Sequence, residues 1–183
     1  MALIFSLSAE CGSQPETARN FANYFNQISW QLSNGIHSIS HAEIFQDSED
    51  NWWTRVSPTG ISQVGITTPE DAYSLTEIGI LLYQNLQSAP SFRYALVGVE
   101  VDEFRTYSEL IAATNLQDID FPGLVLSEAV WQLINRPPGF RKFAPGYVWK
   151  LYEGEAFKPL IVSSNFKDKL NALCAISISN KVS

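Results

Sequence analysis

The chain has 183 residues, 45% of them hydrophobic and 13% aromatic, with a net charge of −7 and a pI near 4.8. That length and apolar content are enough for one folded domain with a sizeable core, and they exclude a disordered chain. The acidic balance argues against nucleic acid or an anionic membrane as partner, and no apolar run approaches the roughly 20 residues needed to span a bilayer.

Charge is unevenly spread. Residues 1–135 carry 16 Asp/Glu against 4 Lys/Arg, and residues 136–183 carry 3 against 8. A basic C-terminal section folded onto an acidic body is the plain consequence; a local anion- or partner-binding patch is the sharper one. Cys11 and Cys174 are far apart and lack CxxC spacing, so free thiols in a reducing compartment are expected ahead of a disulfide. Met1–Ala9 lacks a basic start and its apolar run is short, so it reads as a strand, not a signal peptide. The expected location is the cytoplasm.

Ala2–Ser8 is the first predicted strand. Ser13-Gln14-Pro15-Glu16 matches a capping box, and Ala18, Phe21, Ala22, Phe25, Ile28 and Leu32 follow at helical spacing, predicting a helix over Gln14–Leu32 closed by Asn34-Gly35. Ile36–Gln46, Asn51–Ser57 and Ile61–Thr67 read as three strands of a meander, joined by the acidic turn at 47–50 and by Pro58-Thr59-Gly60. Thr68-Pro69-Glu70-Asp71 then opens a strongly apolar helix over Pro69–Gln87, which Pro90 forbids from continuing. Phe92–Val101 alternates with both faces largely apolar, as an interior strand does.

Thr106-Tyr107-Ser108-Glu109 opens a short helix, and Ser127 caps another carrying Val130, Trp131 and Ile134. Phe140–Gly146 reads as an aromatic, basic loop, Tyr147–Tyr152 as a strand with Trp149 facing inward, Leu160–Ser163 as a further strand and Asn165–Ile176 as a last helix. The fold class is therefore α+β: a mixed, mainly antiparallel sheet in the order β-α-β-β-β-α-β, two helices packed on one face, and a C-terminal α/β extension. Residues 1–183 form a single domain on this reading, with 1–104 as core and 105–183 packed against it. Residues 13–88 resemble double-stranded-RNA-binding domains in element order. That module needs a basic start to its second helix, whereas here the start is Pro69-Glu70-Asp71, so no RNA function follows.

No nucleophile elbow, phosphate loop or dinucleotide fingerprint is present. His37 and His41 would stand roughly 13 Å apart on a strand, too far for a shared metal; no metal and no cofactor are expected. Two sites remain. The leading one joins Trp52, Trp53 and Arg55 to the turn residues Asp47, Glu49 and Asp50, an aromatic and acidic surface suited to a protein partner. It makes the chain a non-enzymatic binding, regulatory or inhibitor protein. The alternative is a small enzyme or ligand-binding domain with a pocket between the sheet and residues 105–163, drawing on Glu100, Asp102, Arg141 and Trp149. Oligomeric state is left open.

Overall fold

The computed structural model describes residues 3–61 and 64–155. These residues build one antiparallel, eight-stranded sheet with four helices, an α+β fold. In chain order the elements are β1 (Phe5–Gly12), α1 (Pro15–Phe25), β2 (Ser29–Gln31), β3 (His37–Gln46), β4 (Trp52–Pro58), α2 (Pro69–Leu86), β5 (Tyr94–Val99), α3 (Tyr107–Ile111), a 3-10 turn (Leu116–Ile119), β6 (Val125–Ser127), α4 (Glu128–Leu133), β7 (Arg141–Ala144) and β8 (Tyr147–Trp149). Across the sheet they run β2-β3-β4-β1-β5-β6-β8-β7.

Alternation along β1 explains why it is central. Phe5, Leu7, Ala9 and Cys11 face the helices, while Ser6, Ser8 and Glu10 face the other way, and all seven are buried. The strand outruns its expected end at Ser8 because Glu10 is paired inside the fold and does not force the chain into water. On the helix face, Phe21 and Phe25 of α1 and Leu75, Ile78 and Leu82 of α2 share one core with Val56, Ala95 and Trp149. On the opposite face Trp53, Tyr94 and Leu96 lie beneath Leu110, Ile119, Leu124 and Val130. The segment after β5 thus covers the second side of the sheet.

Several elements differ from the sequence reading. The first helix stops at Phe25, seven residues before Leu32, because Gln27 takes φ 67° and the chain turns into β2. Trp30 and Leu32 alternate into the core as strand residues, and Asn34-Gly35 closes the β2–β3 hairpin instead of capping a helix. Ser13 does not cap α1; Gln14 holds that position, and its side chain makes no capping bond. Ile61 and residues 64–67 are not strand, so the third strand of the meander is β2, which precedes the other two. The expected loop at 140–146 holds β7, which pairs with β8 through Arg141↔Trp149. β6 was hidden between loop and helix signals; it links β5 to β8. Leu160–Ser163 and Asn165–Ile176 lie outside the described residues.

α2 matches its signals closely. Thr68 and Asp71 form a full capping box, and Pro69 holds the first turn. Its apolar girth is used on both sides: Leu75, Ile78 and Leu82 meet the sheet, while Gly79 admits the Tyr152 ring. Tyr83 is wholly buried and closes the stretch of β5 that β6 leaves unpaired, accepting the Val97 N–H at 3.2 Å and donating to the Gly123 carbonyl at 2.8 Å. No helix among the described residues is long and apolar enough to cross a membrane.

Candidate functional site

Strand register places the side chains of the face opposite α1 and α2 in rows. Phe45, Trp53, Glu10 and Tyr94 form one row, and Glu43, Arg55, Ser8 and Leu96 the next. His41 and Ser57 continue on one side with Ser6 and Gly98 on the other, and Ile39, Thr59, Ile4 and Glu100 lie at the end where this face opens.

Arg55 is the hub of the middle rows. Its Nε lies 2.6 Å from Asp102 Oδ2, an ion pair by distance whose N–H is not aligned for a hydrogen bond. Its Nη1 donates to Glu43 Oε2 at 3.3 Å, and Glu43 Oε1 is 3.5 Å from His41 Nε2. Ser8 Oγ donates to Asp102 Oδ1 at 2.5 Å. Asp102 reaches this position from a loop in which Glu100 and Glu103 take φ 55° and 48°. Such values are costly for residues with a Cβ and mark a loop held by its contacts. Glu100 Oε1 in turn accepts the Ile4 N–H at 2.7 Å.

The first row holds a second network. Glu10 is fully buried and takes both Arg93 Nε, at 2.5 Å, and Arg93 Nη2. Burial pushes the Glu10 carboxyl up, and the hydrogen bonds and charge of Arg93 offset this only in part. Arg93 also donates to Asn51 Oδ1 at 2.8 Å and lies 3.7 Å above the Tyr107 ring. Asp47 is buried too: its carboxylate accepts the Glu49 and Asn51 N–H groups and, at 2.8 Å, Trp53 Nε1.

These contacts decide what the leading site residues do. Trp53 is wholly buried between Phe45, Tyr94 and Phe104, and Trp52 is half-buried against the helix-face core. Asp47 is a turn-forming group inside the fold. Glu49 is exposed, yet it accepts the Ser108 N–H, and hydrogen bonds from Thr106 and Ser108 hold its carboxyl below the usual range. Of the three, Asp50 makes no such side-chain contact among the described residues. Glu70 and Asp71 are not close to this turn. They lie beyond the Pro58 end of β4, where Gly65 meets Leu3, whereas the turn sits at the Trp52 end. The acidic groups therefore form no single patch.

The four alternative residues do not converge either. Trp149 is buried among Tyr83 and Phe143 on the helix face. Arg141 is exposed on the edge strand, three strand spacings from β5 and thus roughly 14 Å from it. Beside it is an open cavity of about 220 Å³, lined by Asp120, Pro122, Gly139, Arg141, Lys150 and Glu153. Lys150 is ion-paired with Asp120, while Arg141 and Glu153 have no ion pair among the described residues. Cys11 is a free, buried thiol that burial pushes up to about 12, so it is not a nucleophile. Ser8 is also fully buried, and its hydroxyl is taken up by the bond it donates to Asp102 Oδ1. No cluster of metal-ligating side chains occurs among the described residues.

Sequence reasoning missed the Glu10–Arg93 pair, 83 residues apart in the chain. The one available signal was the Ser6, Ser8, Glu10 alternation opposite Phe5, Leu7 and Ala9. Comparison with family models, curated proteins and solved structures returns no match, so function rests on the geometry alone.

Proposed function

We propose that this chain is a non-enzymatic protein-interaction domain, an acidic cytoplasmic protein that binds, regulates or inhibits a protein partner. The observation that carries this reading is the uncovered part of the sheet face opposite α1 and α2. The segment after β5 roofs β1, β5 and the Trp53 end of β4, but Ile39, His41 and Glu43 of β3 remain exposed, as does Ile4 in the Ile39 row. Ile4 and Ile39 are 41% and 39% exposed, two apolar side chains in one row at the uncovered end of this face. Polar groups that could serve catalysis are instead engaged with one another, which fits a rigid binding surface.

The test is capture and purification of the partner, followed by titration calorimetry with wild type and with Ile4→Asp/Ile39→Asp. Binding should weaken by about tenfold or more with the unfolding midpoint little changed, since interface energy concentrates in a few apolar anchors. Unchanged affinity would overturn this surface. The Arg141 cavity favours a second reading, a small ligand-binding or enzymatic site for a molecule bearing both charges. A thermal shift with small zwitterions that Arg141→Ala abolishes would establish it.

A further inference from the structure

The two ends of the sheet are finished differently. At one end β7 carries exposed Arg141 and Lys142, its pairing is interrupted by a register shift, and its Phe143 carbonyl accepts Gln87 Nε2. These are the usual means of keeping an edge from pairing with another chain. At the other end β2 covers β3 only through His37–Ile39, and Ser40 bonds outward to Gln27 and Ile28. Because Ser40 points outward, so do the main-chain groups of Ala42, Ile44 and Gln46, while the residues between them bond β4. Asn26 Oδ1 reaches the Ala42 N–H at 3.5 Å. The Ile44 and Gln46 N–H groups, and the carbonyls of all three residues, have no partner among the described residues. This run contains no lysine and no proline, and it pairs with β4 without a bulge. Glu43 projects from it on the open face, where its carboxylate and that of Asp102 share the single Arg55 guanidinium and leave a net negative charge, and exposed Asp50 lies at its end, where its carbonyl accepts Gln46 Nε2.

We propose that Ala42–Gln46 of β3 takes an extended, cationic segment of a protein partner as a ninth strand. Main-chain bonds to Ala42, Ile44 and Gln46 would supply affinity, and a lysine or arginine opposite Glu43 would supply selectivity. The proposal rests on the protein-interaction reading and names the chemistry of its partner. A second copy of this chain fits less well, since antiparallel self-pairing about Ile44 would drive each copy's 47–50 turn into the Gln27–Ile28 segment that already bonds Ser40 of the other.

The probe is a short, end-blocked peptide of alternating lysine and valine, added to the 183-residue protein. Amide exchange at Ile44 and Gln46 should slow on addition, and alternating glutamate and valine should have no effect. Methylating the peptide's bonding backbone nitrogens should weaken binding by about tenfold or more. Gln46→Pro removes an outward N–H from an edge position and leaves the β4 ladder whole, so it should weaken binding similarly. Absence of binding, unchanged exchange at Ile44 and Gln46, or equal affinity for the methylated peptide would overturn strand addition. The methylated-peptide arm uses the wild-type protein and so stands even where the proline variant misfolds. When the peptide arms fail, a captured partner that still loses affinity with Ile4→Asp/Ile39→Asp overturns strand addition alone, and one that binds that variant normally overturns both readings.

Discussion

Glu10 shows how a single residue changes meaning between chain and fold. In the sequence it is one carboxylate near a terminus; in the structure it is an inward-facing anion held side-on by Nε and Nη2 of Arg93. Removing one partner strands the other charge in the interior. Arg93→Met should therefore cost about 3–5 kcal/mol in urea unfolding, whereas Glu10→Met/Arg93→Met should recover most of it. Glu155 gives a pH signature. Burial raises its carboxyl from 4.5 to about 7, with the Tyr152 hydroxyl bond pulling the other way. The folded state then holds a proton that the unfolded state has released, so stability is full below pH 4.5 and falls as pH rises through about 7. The loss is at most about 3 kcal/mol. Glutamine accepts the same bond and does not titrate, so the stability of Glu155→Gln relative to wild type should rise between pH 5 and pH 8 in denaturant titrations.

At the scale of elements, α2 depends on a missing side chain. A Cβ at Gly79 would stand 2.5 Å from the Tyr152 hydroxyl and 2.9 Å from its ring. Gly79→Ala should destabilise by about 1–3 kcal/mol, and Tyr152→Phe should restore part of that by removing the nearer atom. The strands after residue 135 matter in the same way. β7 and β8 extend the sheet, and Trp149 and Tyr152 pack on Tyr83. A chain ending at residue 135 should expose that aromatic cluster and lose cooperative unfolding, as seen by calorimetry and dye binding.

For the whole molecule, net charge and charge placement have separate consequences. A net charge of −7 favours encounter with a cationic partner, and the on-rate should fall with salt as the Debye length shrinks from about 10 Å at 0.1 M to about 3 Å at 1 M. The groups to neutralise are Glu43, within the open run of β3, and Asp50, at its end. Asp47 is unsuitable, since Asp47→Asn would disturb the turn and the Trp53 contact. Stopped-flow rates for Glu43→Gln/Asp50→Asn should be lower than wild type at low salt and converge with it at high salt.

The sequence alone determined what local chemistry controls. The cap and stripe of α2, the interior character of β5, the α+β class and the placement of α1 and α2 on one face all follow from spacing and capping residues read over a few turns. Asn34-Gly35 shows the limit: it suits a helix end and a hairpin equally, and only the pairing of Trp30 with Ser38 chose the hairpin. β6 and β7 are three and four residues long, too short for period two to register, and exist because neighbouring strands complete their hydrogen bonds. The site was less legible still. Which of Trp52 and Trp53 is buried, whether Asp47 faces water, and which half of β3 lacks a neighbour depend on contacts across the sheet. Such contacts are set by the packing of segments tens of residues apart, and no local pattern encodes them.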